Sequence, residues 1–386
     1  MKGTVVFLSM IHWHFTWQVE HSFARGLAER GYDVRFVEPL PKRWPGLSEM
    51  GRVWGRLVGH SETAGHCYQP PVPGVALFSP RLLPDTNPLL QDLNRRLFVP
   101  RIAAAVGRDV AHPLFVINYL PLPASLALME RLRPDVAIYH CVNNWEHDIY
   151  AAGTGIFREA ELARAADMVW TDSPVNYERN AAWADDVILL PHVVDVDLFA
   201  RARRPAGPRP ARPLCAFFGN IGLNTNVDLL RAVSHRYRLR LIGPARVPLE
   251  GFAADTEILG PVPQKELPAL LYDADVLLLP YIPSPYNDGV MPAKLFECMA
   301  TGKPTVAYGL AAVERYADSL YICQSEAEFV ARIAEVLDEP AERAAARIAC
   351  AEANSNDRRI DDIEGYFRQI LARKDGWPAR QAVGAF

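Results

Sequence analysis

Short apolar runs alternate with longer amphipathic stretches along almost the whole chain, and that rhythm admits few folds. Parallel strands buried on both faces read as continuous apolar runs, and the helices that cross over them read with a 3.6-residue period. Residues 4–9 read as a strand and 18–30 as a helix with Phe23, Ala24 and Leu27 turned toward a sheet. Gly31 then stops the helix before a second strand at 33–37. This opening is a βαβ unit. Further strands are expected at 75–79, 114–118, 135–140, 168–172 and 187–190. Helices are expected at 87–107, 126–132, 159–166 and 176–183.

At residues 201–213 the rhythm breaks into a segment rich in Arg and Pro, which lacks backbone donors and apolar positions to bury. The alternation then restarts. Strands are expected at 214–218, 238–242, 257–259, 276–280 and 305–307. Helices are expected at 227–234, 266–272, 292–301 and 326–337, with closing helices over 341–372. A chain of 386 residues is long enough for two cores. The expected fold is therefore α/β: two Rossmann-like domains, 1–200 and 214–370, with 201–213 as linker and 371–386 as a tail returning to the first domain.

Composition narrows the function. Half of the residues are apolar, 22% are charged and the net charge is −4, so a broad basic footprint for nucleic acid is not expected. The six cysteines are scattered without metal spacing and read as reduced thiols. The apolar start is short and runs into His12-Trp13-His14, which suits a buried first strand better than an export signal. No apolar stretch approaches the roughly 20 residues that span a bilayer. The chain is expected to be soluble or peripheral and cytoplasmic, including the inner face of the plasma membrane. There the linker arginines and the stretch 95–108 would meet anionic lipid.

Ligands of open parallel sheets bind beyond the carboxyl ends of strands. Phe218-Gly219-Asn220-Ile221-Gly222 lies at such an end, where glycines let backbone N–H groups approach a phosphate. A second segment runs from Tyr286 through Asp288, Gly289, Met291, Pro292, Lys294 and Glu297 to Gly302-Lys303-Pro304. A lysine in the first turn of a helix opposes the helix dipole, unless an anion occupies that end. Glu297, three residues on, suits ribose hydroxyls. An exposed Lys–Glu pair of little energetic weight is the other reading of the same spacing.

Pro292-Ala293-Lys294-Leu295-Phe296-Glu297 with Gly302-Lys303-Pro304 resembles the donor helix of GT-B glycosyltransferases of glycosyltransferase family 4. The likeness is nearest the teichuronic-acid-type branch, with a weaker one to the xanthan glucuronosyltransferase. His12-Trp13-His14-Phe15-Thr16-Trp17-Gln18, Leu190-Pro191-His192-Val193-Val194-Asp195, Leu241-Ile242-Gly243-Pro244 and Leu259-Gly260-Pro261-Val262 are similar to that family's other cleft segments. The resemblance implies two domains facing across a cleft, with an acceptor in the first and a nucleotide-sugar in the second. It implies Lys294 on the diphosphate, Glu297 on the ribose, Val262 at the base, and Gly219 and Asn220 on the phosphate side. Asp288, Gly289 and Met291 complete the implied donor loop. The family often carries a further glutamate where this chain has Gly289, which leaves the donor-sugar contact and the retaining stereochemistry unassigned.

The implied activity is transfer of a sugar from a nucleoside diphosphate, UDP first among them, to a saccharide or lipid-linked saccharide in polysaccharide or glycoconjugate biosynthesis. No cofactor or metal is expected, because Asp195-Val196-Asp197 reads as a helix cap. For the catalytic base, the loop after the first strand offers His12, His14, Glu20 and His21, and the loop after 135–139 offers His140, Asn143, Asn144, Glu146, His147 and Asp148, with His14, His140 and Glu146 put first. The aromatic, proline-rich stretch 44–80 reads as an acceptor-side insertion. A GT-B nucleotide-sugar epimerase and a non-catalytic nucleotide-sugar-binding protein are the alternatives.

Overall fold

The computed structural model describes residues 2–41, 72–149, 155–204 and 211–374. Most of the 44–80 stretch, the linker centre at 205–210 and the tail from 375 lie outside the described residues.

Two parallel sheets form. The first contains β1 (Thr4–Leu8), β2 (Asp33–Val37), β3 (Val75–Phe78), β4 (Leu114–Asn118), β5 (Val136–Cys141), β6 (Met168–Thr171) and β7 (Val187–Leu189) in the order β3-β2-β1-β4-β5-β6-β7. The second contains β8 (Leu214–Phe218), β9 (Arg238–Ile242), β10 (Glu257–Leu259), β11 (Val276–Pro280), β12 (Thr305–Tyr308) and β13 (Tyr321–Cys323) in the order β10-β9-β8-β11-β12-β13. In both sheets the strand order reverses beside the first strand. That is the switch point at which a ligand crevice opens.

Apolar layers cover both faces of each sheet. In the first half Phe7, Phe23, Leu27 and Trp170 fill one face, and Val6, Val116, Leu128 and Tyr139 the other. Full burial of each such side chain stabilises the fold by about 1.5–3 kcal/mol. The helix Val19–Glu29 ends before Gly31, which takes φ +89°, a conformation that glycine adopts without strain.

Three expectations change. The helix expected over 87–107 is interrupted by a wider turn at Asn94–Phe98, just before Pro100, whose ring nitrogen cannot donate to the preceding turn. The donor helix begins at Leu295 rather than 292, because the Met291 carbonyl accepts a bond from His192 Nε2 at 3.0 Å. Residues up to 370 were assigned to the second half. Yet in the last helix, Asn356–Arg373, Ile360, Ile363, Phe367 and Ile370 pack in the first half's core. The Phe367 ring stacks on Phe115 with centroids 4.0 Å apart.

The described arginines flanking the linker turn to the protein. Arg203 Nε donates to the Ala300 carbonyl at 2.9 Å, Arg204 pairs with Asp275 at 2.6 Å, and Arg212 pairs with Asp255.

Candidate functional site

A cavity of about 600 Å³ opens between the carboxyl ends of the two sheets and is lined by both halves. The loop after β1 forms part of the first wall. His21 folds it, accepting from the Gln18 N–H on Nδ1 and bonding the Trp13 carbonyl through Nε2 at 2.9 Å. Burial lowers the His21 pKa to about 4, so this imidazole is a neutral brace.

The opposite wall is built on two glycines in close approach. Gly219 follows β8 with φ +104° and Gly243 follows β9 with φ +135°. A Cβ on Gly243 would lie 2.1 Å from the Gly219 carbonyl oxygen, and one on Gly219 would lie 2.9 Å from Lys294 Nζ. The sequence therefore keeps side chains out of the space that Lys294 occupies.

Lys294 is 9% exposed and immediately precedes the short helix Leu295–Ala300, with no side-chain capping bond. Its ammonium lies 3.9 Å from the centre of the Phe217 ring and 5.7 Å from that of Tyr281. It makes no hydrogen bond or ion pair with a described residue. Burial lowers its pKa to about 8, against the opposing pull of Cys298 and Glu297. Glu297 is half-buried on the same wall and accepts from Gln264 Nε2 at 2.8 Å. Burial raises its pKa to about 7, with the Gln264 bond and the Lys294 charge opposing. Burial thus disfavours each charged form.

Gly219, Asn220, Val262, Met291, Lys294 and Glu297 come together on the cleft, and Asn220 Oδ1 is buried with no described partner. Asp288 and Gly289 do not line it. The Gly289 carbonyl accepts from Ser173 Oγ at 3.0 Å and from Asn176 Nδ2 at 2.9 Å, both on the first half. Asn144 Nδ2 donates to the Pro285 carbonyl at 2.7 Å, while its Oδ1 accepts from Arg179, itself paired with buried Glu159 at 3.0 Å. The loop 285–289 is therefore held by first-half side chains through its backbone.

The three candidate bases put first lie elsewhere. His140 is buried between Phe23 and Trp170, with centroids at 5.6 and 5.7 Å, and desolvation holds its pKa well below the ordinary value. His14 is half-buried and Glu146 is exposed in the turn Trp145–His147, and neither lines the cavity. Glu20, Asn143 and His192 do line it. Their signal was weak: Glu20 sits inside an amphipathic helix, and His192 inside a passage that reads as a domain boundary. Among the described residues no cluster of His, Cys, Asp or Glu could hold a metal ion. Asp195 caps Leu198 N–H at 3.1 Å.

Residues 212–339 match the family model described as glycosyl transferases group 1. A teichuronic acid biosynthesis glycosyltransferase of Bacillus subtilis, TuaH, is 32% identical over 116 residues, 29% of this chain and 28% of that protein. A colanic acid biosynthesis glycosyltransferase of Salmonella typhimurium, WcaL, is 25% identical over 240 residues, 56% of this chain and 58% of the relative. The matches thus span well under two thirds of either relative's length. Sucrose-phosphate synthase of Thermosynechococcus elongatus superposes with TM-score 0.66 at 13% identity, covering 97% of this chain and all (100%) of that one. Anabaena HepE, solved with UDP and glucose, superposes with TM-score 0.62 at 13% identity, covering 95% and 100%. The fold is the GT-B arrangement of two facing Rossmann-like domains, and its second half carries a glycosyltransferase group 1 domain.

Proposed function

We propose that this protein is a glycosyltransferase that takes a sugar from a nucleoside diphosphate, UDP above others, and passes it to a saccharide or lipid-linked saccharide in polysaccharide or glycoconjugate assembly. The observation that carries this reading is Lys294. It is a buried ammonium at a cavity wall, with no hydrogen-bonded or ion-paired partner among the described residues, only the more distant pull of Glu297, and it fills the space that Gly219 leaves by lacking a side chain. An isolated buried charge is costly, and a diphosphate would offset that cost.

In this reading the bond between the anomeric carbon and the phosphate oxygen breaks, and its electrons pass to the diphosphate. Lys294 stabilises the charge that develops there. Glu297, its carboxylate fixed by Gln264, accepts hydrogen bonds from the ribose. Val262 borders the base, and Gly219 and Asn220 line the phosphate side. The acceptor hydroxyl enters from the first half and bonds to the anomeric carbon, and its proton passes to the phosphate oxygen that departs.

Peripheral contact with an anionic membrane is assigned to the helical stretch Pro88–Val106. There Leu89 and Leu97 are 76% and 46% exposed, and Arg95 and Arg96 lie in the same segment. Among the described residues no helix is long and apolar enough to cross a membrane. Flotation with phosphatidylglycerol vesicles at low salt tests the contact, and loss of binding in L89E/L97E is the expected result.

The first test of the activity is thermal unfolding with UDP, GDP, dTDP and ADP, for wild type and Lys294→Ala. A ligand at about 100 times its Kd adds roughly 2.7 kcal/mol of stability. One diphosphate should stabilise wild type and leave the variant unmoved. A wild type indifferent to all four removes the reading. Conversion of a nucleotide-sugar alone to its epimer would replace transfer with epimerisation.

A further inference from the structure

Glu20 is a buried acid with an unanswered oxygen. It lies in the first turn of the 11-residue helix Val19–Glu29, lines the cleft from the first half and is 2% exposed. Its Oε1 has no hydrogen-bond partner among the described residues. A carboxyl oxygen removed from water and left without a donor is expensive, and native interiors seldom keep one. Burial raises the Glu20 pKa to about 7, with its own backbone N–H and His192 pulling it down.

The second half brings no acid to the same task at position 289. A Cβ on Gly289 would lie 2.8 Å from Asn144 Cβ, and the Gly289 carbonyl is bound twice by the first half. The side-chain direction is filled and the backbone is held, so this position cannot send a side chain into the cleft. His192 lines the same cavity as Glu20, Glu297 and Lys294. Glu20 therefore shares its stretch of cleft with the wall that carries Glu297 and Lys294.

We propose that Glu20 receives the hydroxyls of the donor sugar, so that the first half supplies the carboxyl that reads the sugar. The inference rests on the nucleotide-sugar reading of the cleft. A sugar linked beyond a diphosphate at Lys294 projects across the gap, and a hydroxyl donating to Oε1 satisfies the orphaned acceptor. The sugar then ties the two halves together through the helix Val19–Glu29.

Isothermal titration of UDP, UDP-glucose, UDP-galactose, UDP-N-acetylglucosamine and UDP-glucuronate into wild type, Glu20→Gln and Glu20→Ala separates the outcomes. The quantity read is the ratio of the nucleotide-sugar Kd to the UDP Kd, for the sugar with the lowest ratio on wild type. Glu20→Ala should raise that ratio about tenfold while leaving UDP itself within about twofold. Glu20→Gln, which keeps an acceptor oxygen, should raise it less. An unchanged ratio overturns the proposal. So does an equal loss of UDP and nucleotide-sugar affinity, which would make Glu20 a support for cleft shape. Failure of wild type to bind any UDP compound is a different failure, that of the functional reading itself.

Discussion

At the scale of single residues, the cleft holds charges that the fold alone would not choose. Lys294, Glu297 and Glu20 all have pKa values shifted toward their neutral forms by burial. Burial lowers the Lys294 pKa to about 8 from its ordinary value of 10.5. A diphosphate beside it favours the charged ammonium, so UDP binding near pH 8.5 should take up protons. Titration in buffers of different ionisation heat measures this, and Lys294→Arg, charged throughout, should abolish that share of the uptake. For Glu20 the folded pKa of about 7 exceeds the ordinary 4.5, so the folded state holds the proton more tightly. Its contribution to stability is present below pH 4.5 and is lost as pH rises to about 7. Glu20→Gln should therefore melt higher than wild type at pH 8, by up to about 3 kcal/mol of stability, and not at pH 4. A variant that gains nothing at pH 8 contradicts the buried, unpaired carboxyl. Lys294 stood out in the sequence because a lysine at a helix start is out of place, but its local spacing left two readings open and the resemblance of its segment chose between them. Glu20 was only one of several candidates in its loop, because an acid in a first helical turn is ordinary.

At the scale of elements, strand positions followed from the apolar runs, and several strands lie where the pattern placed them. Helix starts were less legible wherever another part of the chain takes a backbone group. The donor helix starts late because His192 holds the Met291 carbonyl. The helical turn Pro285–Asp288 went unread, although Ser284 caps Asn287 N–H and Pro285 opens the turn, a local signature. The β8 and β9 ends depend on glycine more strictly than the sequence revealed. Gly243→Ala would place its Cβ 2.1 Å from the Gly219 carbonyl at φ +135°. Strain and overpacking together should cost about 2–5 kcal/mol. Urea unfolding should show the loss, and UDP stabilisation should weaken with it, since Gly219 borders Lys294.

At the scale of the whole molecule, described residues join the two halves at the loop held through Pro285, Gly289 and Met291, at the segment 194–202, which packs in the second core, and at the last helix. The last helix crosses back to bury Ile360, Ile363, Phe367 and Ile370 in the first core. Phe367→Ala should cost about 3–5 kcal/mol, read as a lower urea midpoint, because its ring is 1% exposed and stacked on Phe115. Its effect on UDP affinity should be small, since the cleft lies at the far ends of the strands. The sequence by itself determined the class of fold, the number of sheets and the wall that carries Lys294 and Glu297, because each depends on spacing within a short stretch of chain. Tertiary structure decided what faces that wall. Glu20 and His192 entered the cleft, while His14, His140 and Glu146 stayed out of it. Asn144 filled the space at Gly289, and the last helix joined the first core. Each of these depends on which surfaces meet when two sheets close on one another, and no local pattern of apolar and polar residues records that meeting.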